Sequence, residues 1–481
     1  MKKSFFTILI ALLSTNSFAQ EIWSLKKCIS YALEQNIQIK LNEIDVKNNE
    51  VILQQSENNR LPSLNGQITH NYNWGRSFDV FTNTPIIDRV QSNNFGIFGS
   101  VTLFNGFQLK NTILQNQVNL EVSKLAVEQQ KNDIALLVAN AYLQILFNKE
   151  LLESSKISLQ SIQERISLLE KQIQGGTQPA SSIYDLHSQK ATTELQIITR
   201  ENTLATAYLR LKQLLQLPEN SNFEIEYPTL PEPTENLVLP TTDEIFKQAE
   251  ALQPSIKRAD KAIESSQIGE RIAKAGFMPT LTLSAGLSSL YSSSQDKRVV
   301  GRIPNTDLPP TTETIGYFFQ NGERVNVLSD FYENKLIVEN VSFFKQLDEG
   351  FNKRIGLTLN IPIFNRFQTN SNIYSARIIQ ERNKLNAQSA RVTLRQNIEQ
   401  AYIDLVAASK SYYATKNQVK VLEEQVKVNK QRMDLGVGNI TEYRLAENNL
   451  LTAKFDLSRA KFDFLFKSKI LDFYMGKNID F

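Results

Sequence analysis

Four stretches of the chain alternate apolar and polar residues with the period of two that a one-sided strand requires. In "QITHNYNW" (67–74), Ile68, His70, Tyr72 and Trp74 share one face, against Gln67, Thr69, Asn71 and Asn73. "TLTLSAGLS" (280–288) sets Leu281, Leu283, Ala285 and Leu287 against Thr282, Ser284, Gly286 and Ser288. A third strand carries Phe95, Ile97, Val101 and Leu103 on its apolar face, and a fourth carries Ile355, Leu357, Leu359 and Ile361. These two run into nearly identical corners, "VTLFNGFQ" (101–108) and "IPIFNRFQ" (361–368). Each strand has about ten residues, the length at which a tilted strand crosses a bilayer.

Behind both corners the period becomes helical. Ile134, Val138, Ala141 and Ile145 step by four, three and four, and 260 residues on Leu394, Ile398, Ala401 and Leu405 repeat the steps. A pattern without proline runs from Gly106 to about Ile173 and from Arg366 to about Asp434. At 1.5 Å per residue each would make a helix roughly 100 Å long. Asn105 and Asn365 stand where an N-cap would satisfy first-turn amides, so Phe104, Asn105, Gly106, Phe364 and Asn365 mark the strand-to-helix corners. The long helices end at glycine-bearing turns, "QGGTQPASSIYDL" with Gly175 and Gly176, and "LGVGNITEYRL" with Gly436 and Gly438.

A register held over about 45 residues is an internal duplication. Upstream, residues 34–64 lie over 251–281 at an offset of 217, so the second copy carries 43 extra residues, between about 282 and 360. The expected organisation is repeat 1 at 20–217 (helix, β-hairpin, long helix, return helix), a linker at 218–240, and repeat 2 in the same order at 241–481. The linker's five prolines, counted from Pro218, forbid a continuous helix. Within the insertion "PNTDLPPTTET" (304–314) reads as irregular coil.

The amino-terminal 19 residues join two lysines to a short apolar run and end in Ser17-Phe18-Ala19, which predicts a signal peptide and export. No later stretch approaches the roughly 20 apolar residues of a spanning helix, so any membrane passage is by strands. Four strands cannot close a barrel and open edges are not tolerated in lipid, so the barrel must be shared. Two chains would give eight strands with a filled interior, three would give twelve with room for a lumen.

Charge is nearly balanced, 53 Lys and Arg against 50 Asp and Glu, which gives a nucleic-acid partner no support. The two histidines, His70 and His187, have no ligand cluster at metal spacing, and no phosphate loop or nucleophile elbow occurs, so no metal, cofactor or catalysis is expected. Cys28, the single cysteine, reads as a buried small apolar side chain.

The predicted signal peptide, the duplicated helix, hairpin and long helix, the "LFNGF" and "IFNRF" corners and the glycine-led tips together resemble the TolC-like outer-membrane efflux protein family, over about residues 24–475. The resemblance implies an α+β membrane protein that forms a homotrimer. Its twelve-stranded β-barrel, four strands per chain, would sit in outer-membrane lipid and continue as a long α-helical tunnel through the periplasm. It also implies a passive conduit for small molecules or polypeptides, not an enzyme, with a periplasmic adaptor and an inner-membrane transporter as partners. The loops at about 75–94 and 290–351 would face outward, and the tips at 174–185 and 435–444 would form the periplasmic entrance. Family members carry acids just after the tip glycine, which maps to Glu442, six residues past Gly436. In the first tip the candidate is Asp185, nine residues past Gly176, an offset that implies an insertion around Pro179. Three copies of such a carboxylate around a narrow axis would attract cations and resist anions. The rival readings are a free-standing diffusion porin and a barrel-anchored structural or adhesin coiled-coil protein.

Overall fold

The structure is a computed structural model and describes residues 21–78, 85–87, 89–218, 223–228, 232 and 239–477. The expected signal peptide and parts of the loop at 75–94 and of the proline-rich linker lie outside the described residues. In chain order the elements are β1 (Glu21–Trp23), α1 (Leu25–Gln35), α2 (Ile37–Asn58), β2 (Ser63–Asn73), β3 (Arg76–Phe78), β4 (Pro85–Ile87), β5 (Val90–Asn105) and α3 (Gln108–Gln174). There follow α4 (Ile183–Leu215), β6 (Phe223–Ile225), α5 (Thr242–Leu252), α6 (Pro254–Lys274), β7 (Thr280–Ser292), β8 (Lys297–Pro304), β9 (Thr311–Gln320) and β10 (Glu323–Phe331). The last are β11 (Asn334–Asn340), α7 (Phe343–Glu349), β12 (Asn352–Asn360), α8 (Gln368–Asp434) and α9 (Ile440–Tyr474). No helix among the described residues is long and apolar enough to cross a membrane.

The chain forms two compact units that cut across the repeats, since each takes segments from both. One comprises residues 1–54, 114–270 and 374–481, the other 55–113 and 271–373.

The second unit is built on an antiparallel sheet in the order β12-β7-β5-β2. Its register lines up the four predicted apolar faces: Ile68 lies opposite Phe95, Ile97 opposite Leu287, and Val101, Leu283 and Leu357 form one row. This face is bare, with Ile68 and Ile355 each 76 % exposed. The opposite face carries rows of small polar residues, Thr102-Thr282-Thr358 and Ser63-Ser100-Ser284. Two strand ends depart from simple alternation. A register shift between Thr102 and Phe104 leaves Leu103 without a partner on β7 and brings Phe104 opposite Leu281. β12 stops at Asn360, so Ile361 lies beyond it, next to Pro362, which has no amide to donate.

Within the insertion β8 pairs with β11, and between them β9 pairs with β10. Of the stretch expected as irregular coil, 304–314, residues 305–310 are irregular, while Pro304 closes β8 and residues 311–314 open β9.

In the first unit the long helices α3 and α8 are each 67 residues, in register at the 260-residue offset. The predicted stripe is their buried face: Ile134, Val138, Ala141, Ile145, Leu394, Ile398, Ala401 and Leu405 are all at most 9 % exposed. The other offset, 217, holds for α1 and α5 down to the caps. Ser24 accepts from the Lys27 amide and Thr241 from the Glu244 amide, and Cys28, Ala32 and Ile39 pair with Ile245, Ala249 and Ile256, all buried. Two apolar clusters result, one per repeat, and α9 reaches both, through Phe462 and through Ala460, Phe464 and Leu471. A feature missed in the sequence closes the first: β6, from the linker, pairs in parallel with β1, and the Tyr142 hydroxyl donates to the Glu226 carbonyl at 2.6 Å.

Burial pushes the Cys28 thiol up to about 12, with Lys27 opposing weakly. The thiol is expected to resist a thiol-specific reagent at pH 8 in the folded protein and to react fully once guanidinium unfolds it, followed as labelled mass. Ile398→Ala, at a site with no exposed surface, is expected to cost about 2–5 kcal/mol of stability in denaturant titration.

Candidate functional site

Among the described residues no group of three or more His, Cys, Asp or Glu side chains converges on one point. The features that bear on function are the sheet's edges, the corners and the tips.

β2 and β12 each pair on one side only, so each presents a row of unsatisfied backbone groups along its other side. Tyr72 and Trp74 meet at 5.9 Å with their rings tilted by 31°, at the end of the strand where interfacial aromatics sit.

At the corners the two copies share one geometry. Phe104 and Phe107 meet edge-on at 5.4 Å, and Phe364 and Phe367 at 5.5 Å. Between strand and helix lie two consecutive left-handed residues, Gly106 and Phe107 (both φ 63°) and Arg366 and Phe367 (φ 55° and 61°). The helices therefore begin at Gln108 and Gln368, two residues later than the periodicity predicts. A side chain at Gly106 would place its Cβ 2.4 Å from that of Met278, so close approach as well as φ fixes glycine there. The cap expectation holds at one corner. Asn105 accepts from the Leu109 amide at 3.2 Å, whereas the Asn365 amide group donates to the Thr369 hydroxyl and only its backbone carbonyl accepts, from Gln368.

At the tips the two repeats again coincide. The Gly176 and Thr177 amides donate to Ile173 and Gln172, and the Gly436 and Val437 amides to Met433 and Arg432, the paired bonds of a Schellman cap around a left-handed glycine (φ 74° and 72°). Gly175 has ordinary φ, and Leu435 fills its place in the second tip. Gly438 is needed for another reason: a Cβ there would lie 2.7 Å from the Met433 amide nitrogen.

The spacing after the glycines corrects the insertion expected at Pro179. Helical structure resumes at Ala180 in the first tip and at Ile440 in the second, four residues past each glycine. The offset of 260 then continues through the buried pairs Leu186 and Ala446, Thr193 and Ala453, Leu211 and Leu471. Asp185 therefore occupies the position of Leu445, and Ser182 that of Glu442. The two acids are not equivalents but lie about one turn apart along matching hairpins.

Both acids sit in the first turn of a return helix, where the helix dipole favours them. Asn439 caps α9, accepting from the Thr441 amide at 2.8 Å. Glu442 faces Arg432 across the hairpin at 3.7 Å, an exposed and therefore weak ion pair. Nearby, the Tyr443 hydroxyl donates to Glu447, and that hydrogen bond, with burial second, raises its pKa. Further from the tips, Ser161 on α3 donates to Asn448 on α9 at 2.8 Å. Sequence reading missed both Arg432 and this cross-link, which join partners distant in the chain.

The glycines predict contrasting substitutions. Gly436→Ala and Gly438→Ala are each expected to cost at least about 1 kcal/mol and to loosen residues 430–445, seen as faster amide exchange, while Gly175→Ala is expected to change exchange little.

The model of a family described as "outer membrane efflux protein" matches residues 28–216 and 324–477. The cation efflux system protein CusC of Escherichia coli O6:H1 is 22 % identical over 428 residues, covering 86 % of this chain and 85 % of that protein. CusC of Escherichia coli O157:H7 is 23 % identical over 299 residues, 59 % of this chain and 60 % of that protein's length. The crystal structure of the Campylobacter jejuni CmeC outer membrane channel superposes with a TM-score of 0.70 at 16 % identity, over 94 % of this chain and 85 % of that one, a likeness of fold. With its family match on both repeats, a bilayer-length sheet and paired long helices, the chain belongs to the outer membrane efflux protein family.

Proposed function

We propose that three copies of this outer-membrane efflux protein close one twelve-stranded barrel and continue it as a helical tunnel into the periplasm, the passive exit duct of an efflux or secretion assembly. The observation that carries the reading is the sheet with a bare apolar face and two unpaired edges. Lipid tolerates the face but not the edges, so β2 of one copy must pair with β12 of the next. Three copies give twelve strands with the polar rows inward around a lumen. The two 67-residue helices support a conduit beyond the barrel, which a diffusion porin does not need.

The duct works without chemistry of its own. A periplasmic adaptor docks on the helices and an inner-membrane transporter supplies the energy and selects the cargo. Asp185 and Glu442, in the first turns after the tips, form two acidic levels at the entrance, which favours cations. The CusC relatives, named for cation efflux, fit that preference.

In a planar bilayer the purified protein is expected to give small, mostly closed, cation-selective events. Asp185→Ala with Glu442→Ala is expected to raise conductance several-fold and weaken cation selectivity. Large, steady conductance insensitive to both substitutions would point to a porin, and a folded oligomer without conductance would point to a structural role.

A further inference from the structure

The second repeat differs from the first in what it inserts between its two sheet strands, and much of that stretch falls in the gap of the family match, which resumes at residue 324. The insert is firmly rooted. Arg298 binds Glu349 at 2.9 Å and Glu339 at 3.6 Å, the Ser292 amide donates to the Gln346 side chain at 3.0 Å, and Phe343 meets Phe95 of β5 edge-on. Beyond this root, β9 and β10 form a ribbon closed by Asn321 and Gly322, both with positive φ (53° and 89°), the requirement of a tight two-residue hairpin turn.

The ribbon is apolar on both sides. The pairing of Arg324 with Phe319 and Asn326 with Tyr317 sets Tyr317 and Phe319 on one face, joined by Leu328 after the register shift at Val327/Leu328. Phe318, Val325 and Val327 take the other. All six are exposed, Phe319 by 68 %. An isolated two-stranded ribbon is marginal in water, and contiguous apolar surface of this kind marks an interface.

Charge argues against an anionic lipid layer, and symmetry points to a second copy. Residues 293–350 hold nine Asp and Glu against six Lys and Arg, so an anionic headgroup layer finds a net negative partner. A second copy suits the ribbon better. In a cyclic assembly each copy offers one surface to the neighbour on one side and a different surface to the other. A ribbon with two distinct apolar faces meets that need, and in the chain it lies between β7 and the edge strand β12.

We propose that the β9–β10 ribbon packs on the same ribbon of the next copy, the Tyr317 and Phe319 face of one against the Phe318 and Val325 face of the other. Three ribbons then form a closed ring of contacts at the outer mouth. The inference rests on the trimeric channel reading.

The test uses the full chain on whole cells, where the buried Cys28 leaves the background silent. Phe319→Cys, Val325→Cys and the double variant are treated with a short bismaleimide. The expected result is a covalent trimer from the double variant, with each single variant remaining monomeric on a denaturing gel. Single variants that cross-link as well as the double would show like faces meeting and overturn the pairing. A double variant that stays monomeric on the gel while its native mass is trimeric overturns the ring and leaves the channel intact. Labelling with a polyethylene-glycol maleimide then shows whether those faces lie open or are covered by lipid or another protein. A native mass below a trimer removes the channel reading and the ring together.

Discussion

An unpaired strand edge cannot rest in hydrocarbon, and this fold follows from that prohibition. Each unsatisfied N–H or C=O in lipid costs several kcal/mol, so the exposed edges of β2 and β12 favour pairing with another strand. The duplication supplies two strands at a time and always returns the chain to helix. Each repeat thus adds a hairpin to the sheet and one long helix behind it, and the corners repeat with their left-handed pairs because each copy makes the same change from strand to helix.

Length on this scale makes the helices depend on contacts spread along them. The equivalent clusters around Val138 and Ile398 hold one region of the first unit, and a smaller one of Ile162, Ile166 and Leu186 holds α3 to α4 near the first tip. α9 buries alanines at 446, 453 and 460, spaced by seven, so its backbone can approach its neighbours closely, and Phe462 and Phe464 each join one of the two large clusters. Polar cross-links add to this packing, such as Ser161 with Asn448 and Arg391 with Glu250 and Asp260. The tips are held by glycine caps and by the exposed ion pair of Arg432 with Glu442.

Much of this was legible in the sequence because the signals were periodic. Alternation at Leu281, Leu283 and Leu357 gave the sheet's faces, and the stripe from Ile134 to Leu405 gave the buried side of the long helices. Features outside any period were not legible. Phe107 and Arg366 look like ordinary helix starts, and nothing in their side chains announces a left-handed backbone. The ribbon of β9 and β10 hid because both its faces are apolar, which erases alternation, and β6 hid among prolines. The insertion expected before Asp185 is absent for a different reason. Matching acid to acid proved a poorer guide than matching glycine to glycine, since backbone geometry repeats where side-chain chemistry does not.

That last asymmetry has a consequence for whatever meets the tips. In the proposed trimer, three chains would bring together six hairpins whose backbones follow nearly the same path, a pseudo-sixfold rim. Their charges would repeat only threefold, since hairpins with Ser182 and Asp185 would alternate with hairpins bearing Glu442 and Leu445. A docking partner present in six copies would therefore meet two kinds of site in strict alternation, and a partner present in three would have a chemical reason to choose one kind.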